Sequence, residues 1–246
     1  EGTTKLLNCS LINWKKFKDP DFSMTVNFND KYEFFFQLEY SVVIFESTLF
    51  QNMTSLFILK ASELELKEVE LNQLMPYNNS KRIVLGDDSI FRTDGFYVEN
   101  DFTTEIDTQN TQTWFVGYST SFQLKRFYFE NLIDDQNSFM DLLAGSIEIE
   151  DSIIRNIKYL TLGNIIKLES GDAIFRNTTF EETTSILAAE GGNIASLDRV
   201  YVKTSLDMTY LFEIDSTENI EIKNSFFNMK IPEADYPNLE HVIKIS

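Results

Sequence analysis

The sequence predicts an all-β chain: a right-handed parallel β-helix (solenoid) of about nine coils of roughly 21–31 residues, open at both ends. Three observations carry this. A pair of short strands recurs at that spacing, the aligned copies share apolar columns, and all four prolines fall between the copies. Repeats of 20–50 residues are the mark of stacked architectures, in which each unit buries its apolar face only against its neighbours.

The repeat is clearest over residues 146–156, SIEIEDSIIRN. It reads as two strands with apolar residues at alternate positions, bent at Asp151. Aligning the other copies on the residue equivalent to Ser152 gives Cys9, Thr48, Val69, Phe96, Phe127, Ser152, Thr178, Val200 and Ser225. Two places later stand Leu11, Phe50, Leu71, Val98, Phe129, Ile154, Phe180, Val202 and Phe227, every one apolar. Three places earlier the column is also apolar, apart from Thr93. Alternate strand residues face opposite sides, so these columns are the predicted inward stacks. A third strand precedes each pair, for example around Leu56-Phe57-Ile58-Leu59 and Tyr210-Leu211-Phe212. Pro20, Pro76, Pro232 and Pro237 lie in the intervening loops, where no ladder hydrogen bond is lost.

Two more columns have physical content. Four places after the anchor stand Asn13, Asn52, Gln73, Asn100, Asn131 and Asn156, predicted as an inward corner of stacked amides. Two places before it, from Glu46 onward, the sign alternates through Lys67, Asp94, Lys125, Glu150, Arg176, Asp198 and Lys223. Neighbouring coils lie about 4.8 Å apart, so each charge is expected between two opposite ones, which specifies register.

The whole chain, 1–246, is expected to form one domain, with 15–32 as a long loop or insertion. Both ends fall within a coil and no polar cap is written at either, so the expectation is an excerpt of a longer chain.

With 43% hydrophobic and 14% aromatic residues, a large core is available. The formal net charge of −18 opposes nucleic acid, whose binding requires cations against phosphates. No apolar run reaches the roughly 20 residues of a membrane-spanning helix. Cys9 is the only cysteine and His241 the only histidine, which leaves no internal disulfide, no Ser-His-Asp triad and no ordinary zinc site. Acidic pairs such as Asp87-Asp88 and Asp134-Asp135 match no calcium-loop spacing and read as solvated loop acids. No cofactor and no catalytic residue is expected.

Sequons occur at Asn8, Asn52, Asn78 and Asn177. Asn52 belongs to the amide corner expected inside. Asn78 lies in a loop with Pro76, while Asn8 and Asn177 occupy the outward bend, so these three are the expected glycosylation acceptors. One place after the anchor, an outward column contains Tyr97, Tyr128, Tyr201 and Phe226. Contiguous exterior aromatics call for a reason. Either a loop such as 15–32 or a neighbouring domain covers them, or they form an interaction face.

The coil pattern with its Asn corner resembles the pectin-lyase-like right-handed parallel β-helices. The repeated Ser/Thr-x-Phe/Leu-x-Asn/Gln phrasing looks like the long β-helical surface proteins of ciliated protists. The resemblance implies the fold, and implies function only loosely, because this superfold hosts lyases, glycosidases, adhesins and spacers. Pectate lyases of that family use calcium-holding carboxylates and an arginine base. Here Arg176 sits between Glu150 and Asp198, the arrangement of a structural pair. The expected function is an extracellular or cell-surface structural or adhesive module, alone or within a filament, with protein partners or self-association and no enzymatic activity. The competing readings are a carbohydrate-active enzyme with its site outside this segment, and a glycan-binding module.

Overall fold

The computed structural model describes residues 3–12, 36–53, 56–74, 83–99, 113–134, 138–159, 164–204, 210–229 and 242–245. The loop expected over 15–32 and all four prolines lie outside them. The described residues form a parallel β-solenoid built of strands, with no helix among them.

Each coil contributes one strand to each of three faces. The first face is a nine-stranded parallel sheet running from Phe36–Glu39 through Phe115–Tyr118 to Ile243–Ile245. The second face runs from Thr3–Leu7 through Val42–Glu46, Ser146–Glu150 and Asp172–Arg176 to Asn219–Lys223. The third continues from it and includes Leu49–Met53, Ile153–Tyr159, Tyr201–Thr204 and Phe226–Met229. Among the described residues, eight coils carry all three strands, rather than about nine. The remaining strands are Thr3–Leu7 with Ser10–Ile12, and Ile243–Ile245 alone.

The expected register is present rung by rung. Phe50 pairs with Leu71, Leu71 with Val98, Val98 with Phe129, Phe129 with Ile154, Ile154 with Phe180, Phe180 with Val202 and Val202 with Phe227. All of these side chains are fully buried except Phe227, which packs half-buried against the core on the last rung. Each such burial contributes about 1.5–3 kcal/mol. Thr93, the polar exception in the other inward column, is also buried and donates its hydroxyl to the carbonyl of Lys125. Aromatic rings fill much of the interior, with Phe129 and Phe139 at 4.3 Å between centroids and Trp114 edge-on to Phe129. Where the first face carries Gly117 inward, a Cβ would lie 2.6 Å from the Phe122 ring, so that glycine makes room for the phenylalanine.

The corners explain how short strands turn without loops. The residue before each anchor, from Asn8 through Asp151 and Asn177 to Asn224, has left-handed φ in every rung, with Gly95 at 84° as its one glycine. A second such column, from Tyr40 to Ser216, joins the first face to the second. Left-handed backbone costs an L-residue roughly 1–2 kcal/mol, so a column of it must be held by its neighbours. At the Tyr40 corner the next residue does this with a hydroxyl. Ser62 donates to the Lys60 carbonyl at 2.8 Å and accepts the Ser41 amide at 3.1 Å, and Ser89 does the same for Asp87 and Ser62.

The amide corner differs from expectation. Asn131 and Asn156 do stack, with the Asn156 Nδ2 donating to Asn131 Oδ1 at 3.1 Å. However, Asn156 is exposed, and both residues have left-handed φ (62° and 54°) and drop out of the strand pairing. Asparagine tolerates that backbone better than other side-chain-bearing residues, so the column marks an outward turn, not an inward corner. Asn13 and Asn100 lie outside the described residues, as do the side chains of Asn52 and Gln73.

Candidate functional site

The outward side of the third face holds the best candidate. Strand alternation sends the anchor and its second neighbour inward, and therefore points the residues one and three places after the anchor outward. Register puts Tyr97 beside Tyr128, Tyr128 beside Ile153, Ile153 beside Thr179, Thr179 beside Tyr201 and Tyr201 beside Phe226. Tyr97 (40%), Ile153 (41%), Tyr201 (38%) and Phe226 (56%) are all substantially exposed, and Tyr128 is half-buried. This is one stripe about five coils long, which single scattered surface apolars would not produce.

The rings do not all offer their faces. Tyr201 and Phe226 stack on each other at 5.6 Å and 11° between planes. The Arg155 guanidinium lies 5.2 Å from the Tyr128 ring centre. Beside it, Glu130 accepts hydrogen bonds from both the Tyr128 hydroxyl and Arg155 Nε. Burial, reinforced by the bond to Glu130, pushes the Tyr128 phenol up to about 12. Burial also pushes the Glu130 carboxyl upward, but the Tyr128 and Arg155 bonds outweigh it and hold the group below the usual range. This Tyr-Glu-Arg cluster was not anticipated. Its only sequence signal is that Glu130 and Arg155 fall two places after Tyr128 and Ile153 in adjacent coils.

The charge row is in the expected register, from Glu46 facing Lys67 to Asp198 facing Lys223. Its ion pairs are mixed, though: one direct between facing residues, others diagonal between coils or within one strand. Lys125 and Glu150 meet at 3.6 Å, whereas Lys67 takes Glu65 at 2.9 Å, and Arg176 takes Glu148. Asp94 is bonded by Arg126 at 2.7 Å, which holds its carboxyl below the ordinary range. Strand neighbours two apart share a face, so a long side chain reaches them as readily as the next coil.

Of the sequon residues, Asn8 and Asn177 sit exposed at the outward bend, and Asn177 donates to Asp151 at 2.7 Å. Asn78 lies outside the described residues.

A groove of about 290 Å³ runs along the corner between the first two faces, lined by Thr120, Ser121, Gly145, Ser146, Gly171 and Asp172, among others. Its one carboxylate is occupied. Asp172 Oδ1 accepts the amides of Asn193 and Ile194, where the corner is one residue longer than in the coil before. Among the described residues, no three His, Cys, Asp or Glu side chains are placed to hold a metal ion, and no helix is long and apolar enough to cross a membrane. Set against family models, curated proteins and solved structures, the chain finds no match.

Proposed function

We propose that this chain is a structural and adhesive module of an extracellular or cell-surface protein, on its own or within a filament. The observation that carries the reading is the exposed stripe from Tyr97 to Phe226, displayed on a stack whose core is continuous from coil to coil. A solenoid sums many small coil-to-coil interfaces, which suits it to a long presenting surface. The coil phrasing's resemblance to the long surface proteins of ciliated protists, and the exposed sequon residues Asn8 and Asn177, support the same compartment.

The two carbohydrate readings have less support. Sugar rings stack on open aromatic faces, but one face of Tyr128 is occupied by Arg155, and Tyr201 and Phe226 cover each other. Within this segment, the groove beside Asp172 spends the Oδ1 of that carboxylate on backbone amides.

Labelling of intact source cells with an amine reagent that cannot cross membranes tests the compartment. Lys125, Lys167, Lys203 and Lys223 are exposed and should be modified without lysis. Modification only after lysis would remove the proposal.

A further inference from the structure

We infer that the ridge joining the second and third faces is a self-association surface that takes a second copy of this chain in antiparallel orientation. The inference goes beyond the proposed module and is made for the unglycosylated chain, because Asn177 lies in the corner column of this ridge.

The alternating row has eight members, beginning with the anion Glu46 and ending with the cation Lys223, one per coil in unbroken register. Consider a two-fold axis perpendicular to the stack, passing between the Lys125 and Glu150 rungs. It lays the row against its own reversed copy. Because an even alternating row ends on the opposite sign from its start, every member then faces an opposite charge. Lys125 faces Glu150 of the other copy at the centre, and Glu46 faces Lys223 at the rim. An odd row or one break in alternation would put like charges together, which is destabilising.

The next outward column obeys the same axis. In the left-handed corner column, Arg126 falls against Asp151 and Glu68 against Arg199, while the remaining members bring no like charges together. The stripe comes next. The same axis sets Tyr128 against Ile153 at the centre and Leu49 against Phe226 at the rim, with Tyr97 against Thr179 and Glu70 against Tyr201 between them. One column further out the match ends, since Glu99 would face Glu181; that column marks the edge of the fit. Charge complementarity of this kind sets orientation and partner choice more than affinity, so the apolar stripe supplies the attraction. Three columns make a narrow ridge, and the net charge of −18 opposes association, so the dimer belongs to the weak class.

Sedimentation equilibrium of the 246-residue chain over a concentration series is the first test, with a concentration-dependent dimer expected. A spin label at Ser47, exposed at the outer end of the ridge, reads the orientation. In the antiparallel dimer the two labels stand seven coils apart, about 34 Å at 4.8 Å per coil; in a parallel in-register dimer they are close together. Ile153→Lys changes an exposed residue with no ion pair to lose, and should weaken association tenfold or more while leaving the melting temperature unchanged. Tyr128→Ser is the second variant and should act in the same direction. A chain that stays monomeric at millimolar concentration, labels at the short parallel distance, or association untouched by both variants would each overturn the inference.

Discussion

Asn177 stands one coil beyond Asp151 and donates its side-chain amide to the Asp151 carboxylate at 2.7 Å, both residues having left-handed φ (47° and 51°). This pair shows how the outward bend is held: tolerant backbones at each rung, and a side-chain bond between rungs. Asn177→Ala should therefore cost about 1–2 kcal/mol, and Asn177→Gly less, because glycine removes the backbone strain. At the same corner Arg199, with φ 55°, is strained and well exposed, so Arg199→Gly should stabilise by up to about 1 kcal/mol. Urea midpoints at neutral pH read all three. Equal losses for alanine and glycine at 177 would mean that backbone strain is not what the corner controls.

The core makes a sharper demand. Phe129→Ala should cost about 3–5 kcal/mol, since the ring is fully buried and its neighbours Phe139 and Trp114 lose a contact face. Gly117→Ala should cost about 1–3 kcal/mol by the opposite route, overpacking against the Phe122 ring. Thermal unfolding followed by tryptophan fluorescence distinguishes these losses from an unchanged transition, which would place either residue outside the core.

Reversal of one row member should matter only modestly. Glu150→Lys replaces the 3.6 Å partner of Lys125 with a like charge and brings another beside Arg176. The expected loss is about 0.5–1 kcal/mol in low salt, shrinking as salt is added. A loss independent of salt would assign the effect to packing.

The Tyr128 cluster gives two pH signatures of opposite sign. The phenol is raised in the folded chain, so its contribution is full below the ordinary value of about 10 and disappears as pH rises through about 12. The Glu130 carboxyl is depressed, so its contribution is full above the unfolded value of about 4.3 and disappears as pH falls through the lower folded value. Phenolate absorbance should contain late-titrating tyrosine from Tyr128 and from Tyr210, which burial also raises. Glu130→Gln should bring the Tyr128 component down without fully normalising it, because burial, the larger cause, remains. A late component untouched by Glu130→Gln would contradict the cluster.

Mass spectrometry of glycopeptides from native material should find sugar on Asn8 and Asn177, at the exposed bend, and on Asn78. The reason for expecting Asn52 to be bare has fallen, because its register equivalents Asn131 and Asn156 turn outward. Bare Asn8, Asn78 and Asn177 would leave the extracellular proposal without this support.

The rungs were legible because a one-residue slip would expose an entire column, and Phe50, Leu71, Phe129 and Ile154 leave no alternative face for burial. The Asn131–Asn156 column misled because stacked amides and left-handed turns select the same residue, and one sequence carries no sign of φ. The serine corner at Ser41, Ser62 and Ser89 was missed because a hydroxyl before a strand also fits any exposed turn. Of the candidate site, the aromatic column followed from strand alternation. The use of the ring faces by Arg155 and Phe226 did not, since it depends on where long side chains lie across two coils.

The most direct test of the stripe as an adhesive face is bead adhesion to source cells. Beads would carry either the native chain or a variant with Ile153, Tyr201 and Phe226 all changed to serine. These side chains are exposed, so circular dichroism and melting should match between the two. The account predicts that the native beads adhere and the triple variant loses most of that adhesion. Equal adhesion by both would contradict it.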